Sequence, residues 1–148
     1  MKKIKKRFNM LFFVCKRGFT LTEVLIVVVI IGVLATLALP MLVKTIEKAK
    51  VGEATSNLNL IRTGQKIYFL EHGFFSGGAT GLDALNIENP NSQASRYFEY
   101  AITSEAAATG NFSATAVRGG GDVADAPDPY QGDEYIIHKE GVITGPLL

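Results

Sequence analysis

Few side chains in this sequence are placed to do chemistry, and those that are carry charge rather than nucleophiles. Glu23 stands in "KRGFTLTEVLIVVVIIGVLATLALP", residues 16–40, where the basic pair Lys16 and Arg17 meets Gly18 and then a long apolar run. A second group gathers in "RGGGDVADAPDPYQGDE", residues 118–134, which sets Asp122, Asp125, Asp128, Asp133 and Glu134 among a glycine triplet and two prolines. Carboxylates in a flexible loop are the ligand type that calcium takes, which makes Asp122, Asp125, Asp128 and Asp133 weak metal candidates. Their spacing does not follow the EF-hand pattern, and acidic loop residues are ordinarily just solvated. His72 and His138 are far apart, and Cys15 is the sole cysteine. No Gly-x-Ser-x-Gly elbow, His-Glu-x-x-His or paired Cys-x-x-Cys occurs, and "RGGGD" lacks the Lys and Ser/Thr of a phosphate loop. The chain is expected to be no enzyme and to hold no cofactor.

The element that positions Glu23 is the apolar run. Val24 to Val43 are twenty residues without a charge, about 30 Å as a helix, which matches a bilayer core. A carboxylate deep in lipid costs about 2.5 to 3.5 kcal/mol, so Glu23 is either solvated near the headgroups or has a partner. The small residues in "ALPMLVKTIEKAK" lie within a continuing helical pattern, which disfavours ordinary secretory cleavage there. Pro40 removes a backbone donor and Gly32 lowers helix propensity, although both are tolerated in membrane helices.

Charge is distributed unevenly around this run. Seven of the fifteen basic residues precede Gly18 and all fourteen acidic residues follow it, so from Phe19 onward 8 basic residues face 14 acidic ones. A basic leader holds its end of a span in the cytoplasm. The acidic remainder offers no basic patch for phosphates, so nucleic acid is not an expected partner. Met10 is an alternative start that would shorten the leader to nine residues. With Cys15 alone before Gly18, the body must be stable by packing without a disulfide.

The segment "KRGFTLTEVLIVVVIIGVLATLALP" resembles the prepilin leader and N-terminal helix of type IV pilins and of the related pseudopilins of type II secretion. The resemblance covers residues 16 to about 72 well and the remainder loosely. It implies that a prepilin peptidase cuts between Gly18 and Phe19, with Lys16 and Arg17 as part of the signal, and then methylates the new amino group of Phe19. It places the family's assembly glutamate on Glu23 and its helix proline on Pro40. In such filaments the glutamate pairs with the N-terminal ammonium of a neighbouring subunit, and methylation of an amine leaves that charge in place. The resemblance further implies a homo-oligomeric helical filament, an inner-membrane assembly machinery and a single-pass membrane precursor. Many Gram-negative pilins carry a C-terminal disulfide loop that this chain lacks. "DPYQGDEY" resembles the Asp-Pro-aromatic-Gly stretch of major pseudopilins, some of which hold calcium in a late loop.

Beyond Pro40 the helical spacing continues to about Glu71, with Ile46, Ala54, Leu58, Ile61 and Tyr68 on or near one apolar stripe and Gly73 as the stop. Residues 73–95 read as a loop with one short helical turn around Leu82 to Leu85. "RYFEYAIT", "NFSATAV", "EYIIHK" and "VIT" read as strands, the last two joined at "EG". The expectation is an α+β pilin fold: a leader at 1–18, a transmembrane and assembly half of the helix at 19–43, and a head at 44–148 whose antiparallel sheet of about four strands covers the helix stripe. The leading function is a structural subunit of a type IV pilus. The alternatives are a pseudopilin of a type II secretion system and, from another class, a membrane-anchored protein that binds calcium or a ligand without assembling.

Overall fold

The computed structural model describes residues 18–78, 81–104, 110–121, 123 and 126–148, and the chain forms two units, one up to Pro40 and one from Met41. The element order is one long helix α1 (Leu21–His72), a 3-10 turn (Pro90–Ser92), and strands β1 (Phe98–Ser104), β2 (Phe112–Arg118), β3 (Glu134–His138) and β4 (Ile143–Thr144).

α1 begins where Thr20 caps it, its hydroxyl and carbonyl both accepting the Glu23 amide at 3.2 and 3.1 Å. It ends at the expected glycine. Gly73 takes φ +80° and donates its amide to the Phe69 carbonyl at 2.8 Å, the left-handed stop that a side chain disfavours. In the first unit every residue from Gly18 to Pro40 is exposed. By length and composition this part of α1 suffices to cross a membrane.

In the body, α1 packs on the sheet. Val51, Ala54, Leu58 and Ile61 form one core with Phe98, Tyr100 and Ile102 of β1, Phe112, Ala114 and Ala116 of β2, and Tyr135 and Ile137 of β3. The four strands form an antiparallel meander in the order β1-β2-β3-β4, with Tyr100 opposite Ala116 and Ala116 opposite Tyr135. Along β2, buried and half-buried residues alternate, as a strand with one covered face requires. This is the α+β architecture that the sequence predicts.

Three details differ from the sequence expectation. Ile46 is outside the core, at 47% exposure, and Glu47 occupies the stripe instead. Eight residues separate Ile46 from Ala54, which puts them about 80° apart, whereas the seven-residue step from Glu47 falls about 20° away. The Leu82–Leu85 segment is a hydrogen-bonded turn rather than a helix, and the helical turn of this loop is Pro90–Ser92, capped by the Asn89 side chain on the Asn91 amide. β3 also stops at His138, because the link to β4 is a turn over His138–Gly141 closed by the Gly141 amide on the His138 carbonyl.

The long loop is fastened by amides. Gln65, fully buried, donates to the Ser76 carbonyl and accepts its amide, at 2.7 and 3.0 Å. Asn91 does the same at the outer edge of β1, accepting the Tyr100 amide at 2.9 Å and donating to its carbonyl at 2.7 Å. That side chain occupies an edge where another strand would otherwise pair.

Candidate processing and assembly site

Gly18, Phe19 and Thr20 precede α1 in exposed chain outside regular structure, with Phe19 at 75% exposure. A Cβ built on Gly18 would meet nothing within 4 Å, and its φ is not in the left-handed range. The fold itself therefore places no demand for glycine here. The peptide bond on its carboxyl side is open to solvent, as a scissile bond must be. Lys16 and Arg17, the other two residues of the expected signal, lie outside the described residues.

Glu23 occupies the third position of α1, exposed, one turn from the cap. There its negative charge meets the partial positive end of the helix, which favours a carboxylate. Among the described residues it takes part in no ion pair. Thr20-Leu21-Thr22-Glu23 also has the form of a capping box, and the Thr20 half of that box is made. The apolar side chains that follow, from Val24 to Leu42, are all exposed, a surface far too large and apolar for water. Pro40 lies within α1, which continues through it, and Pro40 offers no amide to the Thr36 carbonyl.

A second charged centre lies in the body and sequence reasoning missed it. Glu47 and Arg118 are 3% and 2% exposed and form an ion pair, Nε to Oε2 at 2.9 Å, with a longer contact of 3.4 Å to Oε1. Lys50 adds a 2.7 Å contact to Oε1. Arg118 also donates to the Tyr97 carbonyl at 3.1 Å and stacks near the Tyr97 and Phe98 rings. Burial alone would push the Glu47 carboxyl up, but the hydrogen bonds and charges of Arg118 and Lys50 outweigh it and hold the carboxyl below its ordinary value. One group thus ties α1 to the end of β2 and the start of β1. The available signal was a carboxylate seven residues before Ala54, in register with the core stripe.

Of the four acidic-loop candidates, only two lie within the described residues. Asp122 and Asp125 lie outside the described residues. Asp128 is exposed, and Asp133 is half-buried, its carboxyl pushed up by burial and by the Glu47 charge. Among the described residues no three His, Cys, Asp or Glu side chains come together as a metal group. Gln131 links the two ends of this segment, donating to the Gly119 carbonyl at 2.9 Å and accepting the Ala126 amide at 2.7 Å.

The family model described as "Prokaryotic N-terminal methylation motif" matches residues 15–39, the stretch containing Gly18, Phe19 and Glu23. The chain is 47% identical over 66 residues to the type IV major pilin protein PilA of Myxococcus xanthus, covering 45% of this chain and 30% of that protein. It is 39% identical over 75 residues to the type II secretion system core protein G of Escherichia coli, about half of each chain, at 51% and 51%. With the core protein G of Vibrio cholerae it shares 32% identity over 99 residues, 67% of this chain and 62% of that one. The chain thus spans less than two thirds of the length of each of these relatives. No solved structure matches it. In its motif, its apolar helix and these relatives the chain is similar to type IV pilins and type II secretion pseudopilins.

Proposed function

We propose that this chain is a structural subunit of a type IV pilus. It is made as a single-pass precursor in the inner membrane with residues 1–18 on the cytoplasmic side, cut between Gly18 and Phe19, methylated on the Phe19 amino group, and polymerised through α1. The observation that carries the reading is the fully exposed apolar half of α1 behind a solvent-open Gly18–Phe19 bond and an exposed Glu23.

Water adds across the Gly18–Phe19 amide in the peptidase, giving a Gly18 carboxylate and a Phe19 ammonium. The methylated amine keeps its positive charge. In the membrane the apolar helix is solvated by lipid and Glu23 stands at the costly margin. In the filament the helix exchanges lipid for neighbouring helices, and Glu23 receives the Phe19 ammonium of another subunit. Losing one partner of such a buried pair costs about 3 to 5 kcal/mol, so the pair penalises subunits that enter out of register. The chain is the substrate of the peptidase and methyltransferase, not a catalyst.

A second reading, a pseudopilus subunit of a type II secretion system, is favoured by the matches to core protein G of Escherichia coli and Vibrio cholerae. Deleting the chain's gene separates the two: loss of long surface fibres with normal export supports the pilus, and an export defect without loss of fibres supports the pseudopilus. The processing step is tested by mass analysis of the mature protein, expected to begin at methylated Phe19; a chain that still carries Phe8 to Gly18 rejects it. Glu23→Ala is expected to leave insertion and cleavage intact and to abolish filaments.

A further inference from the structure

Two flanks of the helix–sheet unit carry exposed charges of opposite sign that are not used in ion pairs among the described residues, whereas Lys50 and Arg96 near β1 are paired with Glu47 and Glu99. Lys44, Lys48, Arg62 and Lys66 recur on α1 at steps that keep them within about 40° of one another around the axis. Arg62 fixes where that face lies, because it donates to the Lys139 and Glu140 carbonyls at 3.0 and 2.9 Å in the turn between β3 and β4. In that turn the Lys139 and Glu140 charges cancel. The other flank of α1 faces β1: Glu53 accepts the Tyr97 amide, and Asn57 donates to the Tyr100 hydroxyl. On that side the loop that covers the edge of β1 through Asn91 exposes Asp83 and Glu88. Lys44, Lys48 and Lys66 are exposed, and neither they nor Asp83 and Glu88 form an ion pair among the described residues.

We propose that these flanks are the two halves of a head-to-tail contact between copies of this chain, with Lys44, Lys48 and Lys66 of one copy facing Asp83 and Glu88 of the next. Opposite charges on different flanks of one molecule complement the neighbour without a two-fold axis, and a contact of that type propagates instead of closing at a dimer. The complementarity directs encounter and register more than it adds affinity. A lipid surface does not account for the whole stripe, since Lys66 lies 23 residues beyond the apolar run, about 35 Å along the helix. Leu70, exposed and about 40° around α1 from Lys66, supplies apolar area beside the charges. The inference rests on the filament reading above.

The test is charge exchange in the full chain. Lys48→Glu with Lys66→Glu, and separately Asp83→Lys with Glu88→Lys, are each expected to reduce sheared filament by about tenfold or more, because like charges then face each other. The four changes together restore opposite charge and are expected to recover filament. Mass analysis of the Phe19 terminus and thermal melting of the detergent-solubilised chain show that each variant is processed and folded. Parental filament yield from either pair of changes, or no recovery in the folded and processed fourfold variant, overturns the proposal. If the parent itself forms no filament, the filament reading fails, and the contact is read separately in membranes from a Cys15→Ser chain carrying Lys66→Cys and Glu88→Cys. Oxidation gives a ladder of multimers if the flanks meet head to tail, and monomer or dimer alone overturns the contact.

Discussion

Two of the carboxylates on the helix reach opposite solutions to the same problem. Glu23, in the first unit, is exposed at the head of an apolar segment and takes part in no ion pair among the described residues; Glu47, in the body, is buried and receives its cations from Arg118 and Lys50 of its own chain. The apolar residues differ in the same way. The large apolar residues of the first unit present 46% to 82% of their surface from Leu21 to Leu39, while Ala54, Leu58 and Ile61 present none. A segment whose needs are met within the chain folds the protein, and one whose needs are unmet is an invitation to a membrane or to other subunits.

The comparison breaks most readily at Glu47. Glu47→Ala strands the Arg118 guanidinium in the core and is expected to cost about 3 to 5 kcal/mol of body stability, read as a fall in the chemical unfolding midpoint of the detergent-solubilised chain. Glu23→Ala in the same assay is expected to change stability by less than about 1 kcal/mol, the scale of a helix-end charge. Equal effects of the two changes would erase the distinction between an internal and an external partner.

Leu58→Ala removes a fully buried side chain at the helix–sheet contact and should destabilise by about 2 to 5 kcal/mol, whereas Leu34→Ala, exposed in the first unit, should leave the body's unfolding unchanged. Asn91→Ala takes away both hydrogen bonds at the β1 edge and is expected to cost about 1 to 3 kcal/mol, with faster amide exchange at Tyr100 as its local signature.

The smallest effect is in the pH dependence. Glu47 is held below the ordinary carboxylate value of 4.5, so its contribution to stability is complete above that pH and is lost as the pH falls through the lower folded value. Asp133 is raised and acts in the opposite sense, favouring the folded state in acid and losing that contribution as the pH rises through its raised value. Glu47→Gln should therefore flatten the acid decline of the melting temperature, and Asp133→Asn should steepen it. A parental acid profile in Glu47→Gln would show that the buried pair does not titrate with folding.

Much of this protein was legible because local rules apply to it. Gly73 stops α1 where the stripe ends, alternation in "NFSATAV" marks β2, and the run from Val24 to Val43 admits no folded, water-soluble packing of its own. The motif around Gly18 was readable from its residue types and order alone, since nothing the described fold places within 4 Å of a Cβ requires glycine there. Ile46 was misassigned to the core because a small error in helical phase turns a residue by most of a right angle, and Glu47 was passed over because its partner lies 71 positions away on β2. Asn91 gave no signal, since an amide in a polar loop acquires a role only when an edge strand arrives beside it.

What the sequence determined by itself is everything governed by near neighbours: the helix and its ends, the strand pattern, the charge asymmetry about Gly18, and the motif that an outside enzyme would read. Only the tertiary structure decided that Glu47 finds Arg118, that Asn91 closes the edge of β1, and that Lys44, Lys48 and Lys66 lie on a different flank from Asp83 and Glu88. Those outcomes depend on contacts between distant stretches of chain, whose geometry is set by the packing of α1 on the sheet and is not encoded in the spacing of any one segment.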